Sequence, residues 1–142
     1  MHKRPACKLG VVPARRPVCI DRDATIAAAC RRMREQQVGE LVVTECLDGK
    51  RAAAGIVSAK DVVRRVLALG LDAQVITVGD ILWSRLPAAH VTDCVMETVE
   101  RMSTSEGDTL LVLDAHGEIA GIVALDDVLF AYASALAWSP VH

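Results

Sequence analysis

Gly55-Ile56-Val57-Ser58-Ala59-Lys60-Asp61 recurs 66 positions later as Gly121-Ile122-Val123-Ala124-Leu125-Asp126-Asp127. Both copies read glycine, two β-branched apolar residues, three variable positions, then aspartate. A spacing of about half of the 142-residue chain marks an internal repeat, and a repeat decides the fold class before any single element does.

The flanks repeat as well. Apolar runs precede each copy, Glu40-Leu41-Val42-Val43 and Thr109-Leu110-Leu111-Val112-Leu113. Upstream of these lie two helix-like segments, 26–36 and 95–102. Arg32-Met33 aligns with Arg101-Met102 at an offset of 69, which falls to 66 at the glycines. The first copy therefore carries three extra residues, expected in a long turn over 44–51, against a tighter turn over 114–117. Surface turns tolerate such insertions.

Composition narrows the class. The apolar content of 52% suits a packed domain, with surplus for an interface. Two copies of about 60 residues are each marginal alone, so one shared core is expected. A net charge of −2 argues against a nucleic-acid footprint, and four aromatics give no base-stacking platform. Five cysteines form no CxxC and read as buried small thiols, which suits a reducing cytoplasm. Cys30 is expected on an apolar helix face. Cys7 and Cys46 are the candidates for an exposed, redox-active thiol. The four histidines are scattered without ligand spacing. No secretory signal is evident, and no apolar run reaches about 18 residues.

The order in each half reads β-α-β-β-α, an α+β class with helices covering small sheets. Residues 1–16 read as an arm, with a short strand over 9–12. A strand over 17–20 leads to a helix capped by Asp23 or Thr25, with Ile26, Ala29, Cys30, Met33 and Gln37 inward and Gly39 at its end. Strands 40–44 and 53–57 are nearly all apolar and should be covered on both faces. A helix from Ser58 to about Leu69 follows, with Val62, Val63, Val66 and Leu67 inward. Residues 71–74 link the halves. The second half opens at 75–78 with a helical turn at 79–82. His90-Val91 is the expected counterpart of Val18-Cys19-Ile20. A helix over 92–103, strands 109–113 and 119–123, and a helix over 124–137 complete it.

Two readings of the motif stand side by side. Ser58 and Asp61 form a capping box that starts a helix. Ala124 cannot cap, yet Asp127 keeps its place relative to Gly121. The second reading is nucleotide binding. Glycine at a strand end admits a ligand to the backbone, an aspartate one turn on accepts hydrogen bonds from a vicinal diol, and a nearby hydroxyl suits a phosphate.

These residues resemble the signature of CBS domains, the modules named after cystathionine β-synthase: glycine, two apolar residues, Thr or Ser, two variable residues, aspartate. Gly55 to Asp61 fits throughout. Gly121 to Asp127 departs at Ala124. The resemblance covers about residues 11–135. It implies a stand-alone tandem pair, with an arm (1–16), a first unit (17–70), and a linker with a second unit (71–142), packed pseudo-symmetrically through their sheets.

The resemblance further implies clefts for an adenosine ligand: AMP, ADP, ATP, NAD or S-adenosylmethionine, with or without magnesium. By position, Asp61 and Asp127 would hold ribose and Ser58 would lie near phosphate. Gly55 and Gly121 would admit the ligand, and Val18, Cys19, Ile20, Val38 and Gly39 would line the adenine pocket. The missing hydroxyl at Ala124 weakens phosphate contact in the second site. A homodimer is implied through alanine-rich helix faces (Ala27, Ala28, Ala29; Ala131, Ala133, Ala135), with output to a separate effector protein. The expectation is a cytoplasmic sensor without catalysis, since no nucleophile–base pair accompanies either motif. The alternative is a ligand-free structural or protein-interaction module.

Overall fold

The computed structural model describes residues 8, 10, 12, 14–82, 88–103 and 109–137. The element order is β1 (Cys19–Asp21), α1 (Ile26–Gln36), β2 (Glu40–Leu47), β3 (Lys50–Ser58), α2 (Ala59–Val62) running into a π-helical turn (Val63–Leu67), α3 (Val78–Ile81), β4 (Ala88–His90), α4 (Val95–Ser103), β5 (Thr109–Leu113), β6 (Ile119–Ala124) and α5 (Leu125–Ala137). Two three-stranded sheets result, β1-β2-β3 and β4-β5-β6. Each has one parallel and one antiparallel pairing.

The repeat holds at the level of single residues. Both sheets carry a register shift at the same place, Val43/Thr44 and Val112/Leu113. Each unit buries its own cluster. In one, Ile20, Ile26, Met33, Leu41, Val43, Val57 and Val62 pack together. In the other, Ala89, Val95, Met102, Leu110, Val112, Val123 and Val128 take the corresponding places. The expected single shared core is thus two clusters.

What completes each cluster is a short exchanged segment. The compact units are residues 17–86, and residues 1–16 with 87–142 so far as these are described. Thr77 bridges to Thr25, the Gly79 amide donates to the Arg22 carbonyl (2.8 Å), and Val78 and Ile81 enter the first cluster. Lys8 bridges to Cys94, the Gly10 amide donates to the Val91 carbonyl (2.8 Å), and Val12 enters the second. All these pairs are related by the offset of 69. Residues 77–82 therefore pack with the first unit, and the described residues of the arm with the second. Each brings apolar side chains that a 60-residue unit lacks.

Several local expectations change. The insertion over 44–51 lengthens the hairpin. β2 and β3 run to Leu47 and Lys50, joined by Asp48-Gly49 at φ 51° and 76°, the positive pair that a two-residue I′ turn requires. Helix α1 is capped by Thr25, whose Oγ1 accepts from the Ala28 amide (3.1 Å). It ends at Gln37 (φ 54°) rather than Gly39, with the Gln37 amide donating back to α1 carbonyls. Ile26, Ala29 and Met33 are buried, whereas Cys30 and Gln37 are exposed. Cys46 is exposed, and Cys7 lies outside the described residues.

Across α2 and the π turn, Val62 and Val66 face inward. Val63 and Leu67 sit one stripe over and are exposed. The chain there forms the π turn, with the Ala68 amide donating to the Val63 carbonyl (2.8 Å). The edge strand of the second sheet is Ala88–His90, two residues before the expected site, because Ala88 takes the register place of Cys19. Helix α4 starts at Val95 rather than Thr92. The central strands are covered on both faces: Leu41 and Val43 face the helices, and Val42 and Thr44 on the opposite face are buried too.

Candidate functional site

In the first unit the motif joins a strand end to a helix start. β3 pairs Ser58 with Glu40, so the chain leaves the sheet beside Val38 and Gly39, and the Ala59 amide donates to the Gly39 carbonyl (2.9 Å). Ser58 Oγ accepts from the Asp61 amide (3.2 Å), and Asp61 Oδ2 accepts from the Ser58 amide (2.9 Å). The capping box is therefore formed. Asp61 Oδ1 lies 3.8 Å from Arg65 NH2, and Arg65 NH1 donates to the Ile81 carbonyl (2.7 Å). The carboxylate is about one-quarter exposed, so it is reachable from solvent while held on both sides.

Gly55 lies under Leu82, whose Cδ1 would stand 2.9 Å from an added Cβ. The close approach expected of this glycine is made by the protein's own chain. Val18 accepts through its carbonyl from the Val42 amide (2.8 Å) and is half-buried, as is Val38; both pack on the first cluster. The structure thus brings Val38, Gly39, Ser58 and Asp61 to one end of the sheet, with Val18 at the start of the edge strand.

Cys19 and Ile20 belong elsewhere as well. With Asp21, Arg32, Thr44 and Arg51 they line an open cavity of about 310 Å³. Thr44 lies four register positions from Glu40, which is about 13 Å along a strand. Ile20 is otherwise a core residue, only 8% exposed. Arg51 NH1 donates to Thr44 Oγ1 (2.7 Å) and lies 3.5 Å from Asp21 Oδ2, while Arg32 Nε donates to the Cys19 carbonyl (2.7 Å). Burial pushes the Cys19 thiol above its usual range, and the Arg32 and Arg51 guanidiniums only partly offset this. A thiol so placed is a poor nucleophile.

In the second unit Gly121 is pressed harder. An added Cβ would meet Ala14 Cβ and the Arg15 carbonyl oxygen, each at 2.8 Å. Arg15 pairs with Ile122 in both directions, at 2.8 and 3.1 Å, and so extends the sheet beyond β6. Its guanidinium NH2 lies 3.7 Å from Asp127 Oδ2. Ala124 offers no hydroxyl.

Arg15 and Arg65 were not anticipated from the sequence. Nor was Arg32 with its counterpart Arg101, which reaches the Ala88 carbonyl (3.3 Å) just as Arg32 reaches Cys19. The shared offset of 69 was the signal for that last pair. Among the described residues no three His, Cys, Asp or Glu side chains gather to hold a metal ion, and no helix is long and apolar enough to cross a membrane.

The family profile for the CBS domain matches residues 9–68. Those residues are similar to a CBS domain. That match begins in one exchanged segment, and the second unit repeats its elements, which is consistent with a tandem CBS pair. The chain is 27% identical over 110 residues to hypoxic response protein 1 of Mycobacterium tuberculosis, covering 78% of this chain and 74% of that protein. An uncharacterised conserved protein of Pyrococcus horikoshii superposes with a TM-score of 0.75 at 26% identity, over 99% of this chain and 98% of that one. A CBS-domain protein of Pyrobaculum aerophilum, solved in complex with AMP, superposes with a TM-score of 0.75 at 24% identity, over 90% and 99% of the two chains. CBS-domain proteins are regulatory modules.

Proposed function

We propose that this CBS pair is a regulatory sensor that takes an adenosine nucleotide at the motif ends of its units, without catalysis of its own. The observation that carries this reading is the placing of Asp61. It stands on the first turn after a strand end, partly open, with Oδ2 engaged by the Ser58 amide and Oδ1 3.8 Å from Arg65 NH2. A carboxylate so oriented accepts hydrogen bonds from a ribose diol. The AMP complex of the Pyrobaculum protein, which shares the fold, supports the ligand class. Ser58 would lie toward the phosphates, Val18, Val38 and Gly39 toward the base, and Asp127 would serve a second ribose without a hydroxyl beside it.

The ligand acts by favouring the arrangement of the protein that binds it better, and shifts the equilibrium only by that difference. The exposed Val63, Leu67, Leu129 and Phe130 support a homodimer or an effector protein as the receiver of the signal. The exposed thiols Cys30 and Cys46 suit a reducing cytoplasm.

Calorimetry with AMP, ADP, ATP, NAD and S-adenosylmethionine, with and without magnesium, tests the reading. At least one should bind. Asp61→Asn, which keeps an acceptor for the Ser58 amide, should weaken that binding about tenfold or more, the loss expected when a charge-assisted hydrogen bond goes. Binding unchanged in both Asp61→Asn and Asp127→Asn would end the ribose assignment. No binding by any of the five would leave the interaction module as the better reading.

A further inference from the structure

One arrangement recurs in both units by opposite routes. In the first, Arg65 belongs to the motif helix; it faces Asp61 Oδ1 at 3.8 Å and donates to Ile81, in the exchanged segment, at 2.7 Å. In the second, Ala131 stands at the place equivalent to Arg65. The cation comes instead from the exchanged segment itself: Arg15, paired through its backbone with Ile122, faces Asp127 Oδ2 at 3.7 Å. Either way a guanidinium ties the motif carboxylate to the exchanged segment. Each segment then continues in sequence into the first strand of the other unit, 8–16 into β1 and 77–82 toward β4.

We propose that Arg15 and Arg65 are latches, through which occupancy of a motif carboxylate is passed to the exchanged segment. The inference rests on the nucleotide-binding reading above. A carboxylate has about four acceptor positions. Asp61 Oδ2 already serves the Ser58 amide, so Oδ1, the oxygen that faces Arg65, is the less engaged acceptor for a diol, and a diol that bridges both oxygens uses it. At Asp127 a diol that takes Oδ2 competes with Arg15 directly. Taking up the ligand therefore loosens the guanidinium, and with it the segment. Linkage makes the effect reciprocal: removing the latch must strengthen ligand binding by the factor with which the ligand weakens the latch. Arg15 is 67% exposed and Asp127 38%, so the factor is about two- to fivefold, the range that exposed ion pairs support.

The second latch is tested in an Asp61→Asn chain, which isolates Asp127, with and without Arg15→Gln. AMP and adenosine are the probes, read by calorimetry and by amide hydrogen exchange at position 15 and at Ile122. With Arg15 present, AMP should raise exchange at these two amides about two- to fivefold. With the Arg15→Gln change the rise should vanish, and both AMP and adenosine should bind about two- to fivefold more tightly. Unchanged affinity and unchanged exchange overturn the latch. So does weaker binding of AMP with adenosine unaffected, which makes Arg15 a direct phosphate contact. If neither compound binds the Asp61→Asn chain while AMP binds the native one, the ribose role of Asp127 fails and the second latch with it. Arg65→Gln in an Asp127→Asn chain, read at the Leu82 amide, repeats the test for the first latch with the same expected signs.

Discussion

The two motif regions share a backbone but differ in what secures them. Around Gly55 the holding groups are side chains: Leu82 over the glycine, Ser58 and Asp61 in a reciprocal cap, Arg65 across to Ile81. Around Gly121 the holding group is backbone. Arg15 pairs with Ile122, and its carbonyl oxygen leaves no room for a Cβ at the glycine. The loss of the hydroxyl at Ala124 thus coincides with a segment that is strand-paired to the motif. A site secured by side chains tolerates local substitution. A site secured by backbone pairing does not.

The largest expected effect asks whether the two clusters carry equal weight. Met33 and Met102 occupy equivalent places and are 7% and 3% exposed. Each Met→Ala change should cost about 2–5 kcal/mol by urea denaturation, and the two should agree to within about 1 kcal/mol. A large inequality would mean that one cluster alone determines stability.

Next comes the glycine pair. Gly121→Ala sets a methyl against the Arg15 carbonyl and Ala14, where only backbone movement relieves it, and should cost about 1–3 kcal/mol. Gly55→Ala meets the end of the flexible Leu82 side chain and should cost less than about 1.5 kcal/mol. Equal costs would erase the contrast between side-chain and backbone restraint.

A smaller effect separates the caps. Ser58→Ala removes the acceptor for the Asp61 amide and should destabilise by about 1 kcal/mol. Ala124→Ser, the reverse exchange in the other unit, should stabilise by up to about 1 kcal/mol if the new hydroxyl finds the Asp127 amide. Denaturation of the two variants side by side measures both signs.

These contrasts also mark what was legible in the sequence. The faces of α1 and the apolar strands β2 and β5 were, because periodicity records burial directly. The exchange of residues 8–12 and 77–81 was not. Those segments share one glycine and an apolar pattern, and nothing local in them says that their partners lie in Arg22 or Val91. Only the common offset of 69 does. The hairpin carried its signal in Asp48-Gly49, but Glu45, Cys46, Lys50 and Arg51 alternate too weakly to read as strand. At the site, Ser58 and Asp61 were legible as neighbours on a helix turn. Arg15 was not, since a contact 112 positions away in sequence leaves no local trace. Cys19 was placed in the adenine pocket, yet it also lines a cavity with Arg32 and Arg51.

The smallest effects concern pH. Asp80 accepts from the Thr77 amide, first among the causes that lower its pKa, and Asp114 is lowered by the amides of Glu118 and His116. Both carboxylates are depressed in the folded state. Their contribution to stability is present above the unfolded carboxylate value, about 3.9, and is lost as pH falls through the lower folded values. Asp80→Asn and Asp114→Asn should therefore flatten the acid limb of a stability–pH curve, by lowering its neutral plateau toward the acid value.

The central claim is that Asp61 and Asp127 mark equivalent ligand sites in unequal surroundings. Titration of the isotope-labelled protein with AMP, followed by amide NMR, tests it most directly. The account predicts shifts at Ser58–Val62 and at Ala124–Val128, saturating at different AMP concentrations, each set lost with Asn at its own aspartate. Shifts confined to the cavity around Cys19, Arg32 and Arg51, or both sets persisting in the double Asn variant, would contradict it.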